Sequence, residues 1–419
     1  MNRSNAPEFK QAESLELIFP EKIELENGIE LYWMKAVKDE SVKLDIEWFA
    51  GSKYQRKKLV SGFTNRLLLS GNSKRSAKTI SSEIDFFGGY IQDEVDKDHA
   101  SVTIYGLREN FRNIFQIYQE AMLTCEFPEK EFEEERTIAL SKFKIDAEKV
   151  KYLCQRKFNE CLFGLEHPYG KVADAVDFTN LKREDLVEYY KQFYLGSKPV
   201  LFLVGNVSDE IIEDIRAWSK HLSGKKVEYK KRGPHSKVGQ TEIVRPGAIQ
   251  TAIRIGRIAV DKDHKDYFGL QLLDTILGGY FGSRLMANIR EDKGYTYGIG
   301  SGVAVLEDSS YFFISTEVAK EVKDATLKEI YLELDKLKTE LIPEEELARV
   351  KNYMLGEFLR QSDGPAAMME SFKNIYFNHL KDSYYTDFIA AIHRISAKEL
   401  RAIANIYFVQ KKMVEVIVG

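Results

Sequence analysis

The chain has 419 residues, which at about 150 residues per domain allows two or three domains, each able to bury its own core. Hydrophobic residues make up 44% and charged residues 30%, a globular balance that excludes a disordered or low-complexity chain. Lys plus Arg number 61 against 65 acidic residues, a net charge of −4 that argues against nucleic acid or an anionic membrane as partner.

The stretch 1–14 is polar, with Glu8, Lys10 and Glu13, so no basic segment followed by an apolar one marks secretion. Residues 41–50 and 100–105 read with period 2 and predict strands, and a helix between them ends at Leu67-Leu-Leu-Ser-Gly71. Residues 128–163 read as one long helical stretch whose first turns are crowded with acidic residues, as the helix dipole prefers. Residues 181–205 read as a helix followed by the apolar strand 200–204, far short of the ~20 residues that span a bilayer. Between Lys220 and Gly247 the chain turns polar and basic, which predicts a solvated tether.

In the second half a helix from Ser283 to Lys293 is stopped by Gly294, leading into a strand with Tyr295 and Tyr297 on one face. Residues 311–317 alternate as a strand, Pro343 and three glutamates open a helix, and Ser396 with Glu399 forms a capping box. Cys125, Cys154 and Cys161 cannot all pair within one chain, so a reducing, cytoplasmic compartment is expected. Cys154 and Cys161, seven apart, share a helix face as core residues.

The two halves repeat one pattern. Leu181–Gly205 lies without gaps on Ile395–Gly419, an offset of 419 − 205 = 214. The run 98–104 falls on 308–314 at an offset of 210, and the helix end before Gly71 falls on that before Gly279 at 208. Similar offsets in the same order predict a duplicated domain. The expected fold is α+β, two homologous domains, each a largely antiparallel sheet packed with helices: 1–224, a linker 225–240, and 241–419.

Phosphate-loop, nucleophile-elbow and C-x-x-C motifs are absent, and the closest histidines are 14 apart (235 − 221), so no helical pair of histidines holds zinc. The densest cluster runs from Phe281 to Gly302. Arg290, one turn before the helix stop, is explained either by the helix dipole with Glu291 nearby or by a ligand. Gly298, Gly300 and Gly302 leave the strand backbone bare for an added peptide strand, whose carbonyl Arg290 and Tyr297 would polarise together.

The stretch Ser283-Arg-Leu-Met-x-x-Ile-Arg290-Glu-x-x-Gly294-x-x-Tyr297, with Phe163-Gly-x-x-His167-Pro168-Tyr169-Gly170 and Val204-Gly-Asn-Val207, resembles the insulinase or pitrilysin-like zinc peptidases, which include the mitochondrial processing peptidase. The likeness runs over nearly the whole chain. It implies subunits of two homologous α+β domains that close in pairs around unstructured peptides, with Arg290 and Tyr297 as the substrate-binding pair. His167 and Tyr169 are read as shaping their loop, since a Pro-Tyr-Gly turn needs no other explanation.

Active members of that family carry H-x-x-E-H shortly before a glycine and a basic Arg-Ser-Ala segment, matched here by Gly71, Lys74, Arg75, Ser76 and Ala77. Counting back places Gly62, Asn65 and Arg66 at the His, Glu and His positions, and the distal glutamate ligand falls at Lys142 (142 − 66 = 76) or its neighbour Ser141. None of these can play its part, and no histidine precedes His99. The expectation is a catalytically inactive subunit that binds no cofactor itself and pairs with a zinc-carrying homologous subunit as a heterodimer on unstructured peptide substrates, with no nucleic acid and no membrane involved. The alternative is a catalytically inert peptide-binding or scaffolding homologue. A hydrolase using another site is disfavoured, because no acid, base and nucleophile constellation presents itself.

Overall fold

The computed structural model describes residues 17–36, 38 and 40–419; the polar stretch 1–14 lies outside them. The chain divides into two compact units, the first comprising Phe19–Lys237 together with Leu306–Asp308, the second Val238–Val305 and Ser309–Gly419.

The first unit holds strands β1 (Glu21–Glu24), β2 (Glu30–Met34), β3 (Ser41–Trp48), β4 (Tyr90–Val95), β5 (Ala100–Leu107) and β6 (Val200–Val204), in the order β1-β2-β6-β3-β5-β4. The β2–β6 pair is parallel and the other neighbours are antiparallel. The second unit holds β7 (Gly239–Ile243), β8 (Gln250–Ala259), β9 (Ile299–Val305), β10 (Ser310–Ala319) and β11 (Val414–Val418), in the order β7-β11-β8-β10-β9. Here β7–β11 is the parallel pair. Reading β7 to β11 as β2 to β6 makes the two orders identical, parallel pair included, with β1 the extra strand. The repeat inferred from sequence offsets is therefore a repeat of topology.

In each unit the helices cover the sheet because their apolar residues recur at helical spacing. The helix Arg108–Leu123 buries Phe111, Ile114, Phe115, Tyr118 and Met122 with Leu44, Ile46, Val102 and Ile104 of the first sheet. Each large apolar side chain so buried contributes about 1.5–3 kcal/mol. In the second unit Leu270, Leu273 and Leu277 pack with Ile253, Ile255, Phe312 and Ile314. Both β6 and β11 are buried along their whole length; β6 is an apolar run without alternation, while β11 carries Glu415, whose carboxylate accepts from Gln240 and the Tyr331 hydroxyl.

Three expectations change. The long helical stretch is two helices, Glu129–Asp146 and Val150–Phe163. The backbone breaks at 147–149, where the Ala147 and Lys149 N–H groups turn back to Phe143 and Asp146. The basic run read as a free tether is instead strapped to the first unit as far as Lys237. There the N–H groups of His235 and Lys237 donate to Phe163 and Cys161, the Ser236 hydroxyl donates to the Leu162 carbonyl, and Val227 packs on the core. Third, Tyr295 and Tyr297 precede the strand, which begins at Ile299, and they differ in burial: Tyr295 packs on the core while Tyr297 is 94% exposed.

Candidate functional site

Gly62, Asn65 and Arg66 sit on the helix Val60–Arg66, which lies against β4 and β5 of the first unit. Asn65 is buried, and its amide is fully engaged. Its Nδ2 donates to the carbonyls of Glu94 (2.9 Å) and Ser101 (3.0 Å), which face each other across β4 and β5, and its Oδ1 accepts from the Tyr194 hydroxyl at 2.9 Å. Where an active peptidase would need a base, this chain has a staple between helix and sheet. Replacing it leaves three buried polar groups without partners, so Asn65→Ala is expected to cost about 3 kcal/mol in urea unfolding.

Arg66 is exposed at the end of the same helix. Its guanidinium pairs with Glu135 at 2.7 Å and lies 5.0 Å from the Phe63 ring, while its Nε donates to the Gly62 carbonyl. Glu135 belongs to the helix Glu129–Asp146, and Lys142 lies two turns further along, about 10 Å away at 1.5 Å per residue. The carboxylate that the Arg66 side chain reaches is thus Glu135, two turns before Lys142 and its neighbour Ser141.

This chemistry does not fit zinc. Gly62 offers no donor atom, the Asn65 amide is already engaged, and the Arg66 guanidinium occupies its position with a positive charge, paired to Glu135. Among the described residues no group of three or more His, Cys, Asp or Glu side chains could hold a metal ion. Beside the helix, a cavity of about 470 Å³ reaches to β4 and is lined by Asn65, Arg66, Ile84, Tyr90 and Glu131.

His167 and Tyr169 are built into the first unit. His167 Nδ1 accepts from the Tyr169 N–H at 3.1 Å, so the neutral ring donates from Nε2 to the Arg232 carbonyl at 2.9 Å. Burial holds its pKa below the usual imidazole value, in keeping with that neutral form. The Tyr169 hydroxyl donates to the Asp98 carboxylate.

The second unit holds Arg290 and Tyr297. Arg290 lies in the π-helical turn Met286–Asp292, which ends as expected: Gly294 has φ +65°, its N–H reaches the Arg290 carbonyl, and the Tyr295 N–H reaches Ile289. The neighbouring polar residues of this segment are spent on the fold. Arg284 makes a two-pronged pair with Glu346 (2.8 and 2.9 Å), and Asn288 donates to Glu329 and Glu333. Arg290 is different. Among the described residues no carboxylate pairs with it, Glu291 included, and its guanidinium lies 4.9 Å from the exposed Phe281 ring.

The strand β9 closes the second sheet, pairing with β10 on one side, and among the described residues no strand pairs with its other edge. Its glycines are not equivalent. A side chain at Gly298 would meet nothing within 4 Å, whereas one at Gly302 would press on the Phe313 ring at 3.0 Å. Gly302 is therefore covered by its cross-strand partner, and the bare backbone is confined to the start of the strand.

The family profile described as insulinase (peptidase family M16) matches residues 35–162, and that described as peptidase M16 inactive domain matches 180–354. An uncharacterized zinc protease of Rickettsia felis is 24% identical over 391 residues, 92% of this chain and 94% of that protein. One of Bacillus subtilis is 23% identical over 341 residues, 80% of this chain and 82% of that one. A solved structure of a peptidase M16 inactive domain from Pseudomonas fluorescens shares the fold with a TM-score of 0.87 at 23% identity, covering 96% of this chain and 98% of that one. Among the described residues no helix is long and apolar enough to cross a membrane. With both halves matched in order and the fold shared end to end, the chain belongs to the insulinase family of M16 peptidases.

Proposed function

We propose that this chain is the non-catalytic, substrate-binding subunit of a paired zinc peptidase that cleaves unstructured peptides, with the metal carried by a homologous partner subunit. One contrast carries the reading: the catalytic positions of the first unit are spent on a staple and an ion pair, while Arg290 and Tyr297 of the second keep their donors free for something outside the chain.

The chemistry follows from those donors. An extended peptide adds to the free edge of β9, and the Arg290 guanidinium and Tyr297 hydroxyl donate to a peptide carbonyl beside the partner's zinc site, favouring the negative charge that develops there. Zinc, when bound in the partner, supplies the activated water and the Lewis acid. The pair works in a reducing, cytoplasmic compartment, in keeping with Cys125, Cys154 and Cys161 forming no disulfide among the described residues.

Affinity purification of the tagged chain from its native host tests the proposal. A stoichiometric partner of similar length bearing H-x-x-E-H is expected. Recovery of the chain alone, or within an unrelated assembly inert toward peptides, overturns the pairing in favour of a scaffold.

A further inference from the structure

The second unit contains a cavity of about 520 Å³, within the ~300–1,000 Å³ usual for small-ligand pockets. Lys262, in the loop between β8 and the following helix, reaches it half-buried. Its ammonium donates to Asn374 Oδ1, and among the described residues no carboxylate pairs with it. The same amide turns its Nδ2 to the Tyr385 hydroxyl at 2.8 Å, so Asn374 is held in one orientation and its oxygen is fixed toward the lysine. That leaves ammonium protons without a protein acceptor.

The remaining wall is aromatic and donor-bearing. Tyr385 stacks on Phe358 at 5.0 Å, with the ring planes 15° apart. Tyr267 accepts from Gln271 at 3.2 Å and keeps its own hydroxyl proton to give. Glu357, the acidic side chain of the lining, is held by Arg360 at 2.6 Å.

An ammonium drawn out of water without a counter-ion is held at a cost. Burial alone moves the Lys262 pKa down to about 8, with no opposing charge to restore it. A carboxylate arriving in the cavity removes that cost, and a flat apolar body behind it covers the Phe358 and Tyr385 rings.

We infer that this cavity is a binding site for a monocarboxylate carried on an aromatic or apolar body, with Lys262 as its anchor and the Tyr267 hydroxyl as a second donor. Two sources share this chemistry, a free aromatic acid and the C-terminal carboxylate of a peptide ending in an apolar residue. The inference does not depend on the half-peptidase reading, since neither zinc nor Arg290 enters it.

Calorimetric titration of the full chain tests it with 3-phenylpropionate and with N-acetyl-Ala-Ala-Phe, the latter as free acid and as C-terminal amide. Saturable binding at one site per chain is expected, weakened at least ~10-fold in Lys262→Met and less in Lys262→Arg, with the thermal midpoint of Lys262→Met no lower than that of the parent. Tighter binding of the peptide acid, lost on amidation, assigns a chain terminus as ligand; tighter binding of phenylpropionate assigns a free acid. Binding unchanged in Lys262→Met, or no saturable binding of any probe at millimolar concentration, overturns the site.

Discussion

In the complex with its zinc-bearing partner, Arg290→Ala is expected to cut peptide turnover by about 10²- to 10³-fold, the range found when one donor to a developing oxyanion is removed. The zinc content of the complex stays the same, because the substituted side chain ligates nothing. Stability should also hold. Arg290 packs over Phe281 without pairing to any described carboxylate, so its loss orphans no buried group, unlike Arg284, whose removal would strand Glu346. Tyr297→Phe removes a single hydroxyl at a position 94% exposed and should give a smaller loss in the same direction. Steady-state kinetics on the reconstituted pair, with thermal melts of both variants, separates a lost donor from a damaged fold. Full activity in both variants would remove the assigned role.

The second large effect is a gain. Gly62→His with Arg66→His places two imidazoles at i and i+4 on one helix face, with Glu135 already opposite position 66. The site has room: a Cβ at Gly62 meets as its nearest atom the Arg66 guanidinium at 3.5 Å, which the second substitution removes. Exchanging a mid-helix glycine also removes a penalty of about 1 kcal/mol. The double variant should therefore take up one zinc per chain. Adding Glu135→Gln should weaken zinc binding at least ~10-fold, since the carboxylate facing position 66 is lost, and adding Lys142→Glu, which restores a carboxylate at the counted position, should strengthen it. Metal analysis after dialysis, with a competing chelator for affinity, reads the outcome. Zinc uptake that needs Lys142→Glu would assign the third ligand to the counted position instead of Glu135.

That contrast shows where sequence reasoning stops. Topology was legible, because a strand buried on both faces writes a mostly apolar run, and the runs 200–204 and 414–418, the second interrupted by Glu415, lie at the same place in their two sheets. The helix stop at Gly294 and the capping box at Ser396 were legible for the same local reason, since each is fixed by residues within one turn. The Arg66–Glu135 pair was not legible, because a spacing count names the position of a lost ligand and only the fold shows which carboxylate the substituted side chain reaches. The tether was misread because basic composition reports on solvent exposure of side chains and says nothing of the backbone bonds from His235 and Lys237. Asn65 could be recognised as unfit for catalysis, but its positive role depends on Tyr194, 129 residues away. Lys262 gave no signal at all: its neighbours Asn374 and Tyr385 come together only when the second unit closes.

Peptide cleavage by the purified chain, by its zinc-bearing partner and by the two recombined, measured side by side on one unstructured fluorogenic peptide, tests the central claim most directly. The account predicts that the chain alone is inert and that activity appears on recombination, in proportion to the pair formed. Cleavage by the chain alone, or no gain over the partner alone when the two are recombined, would contradict it.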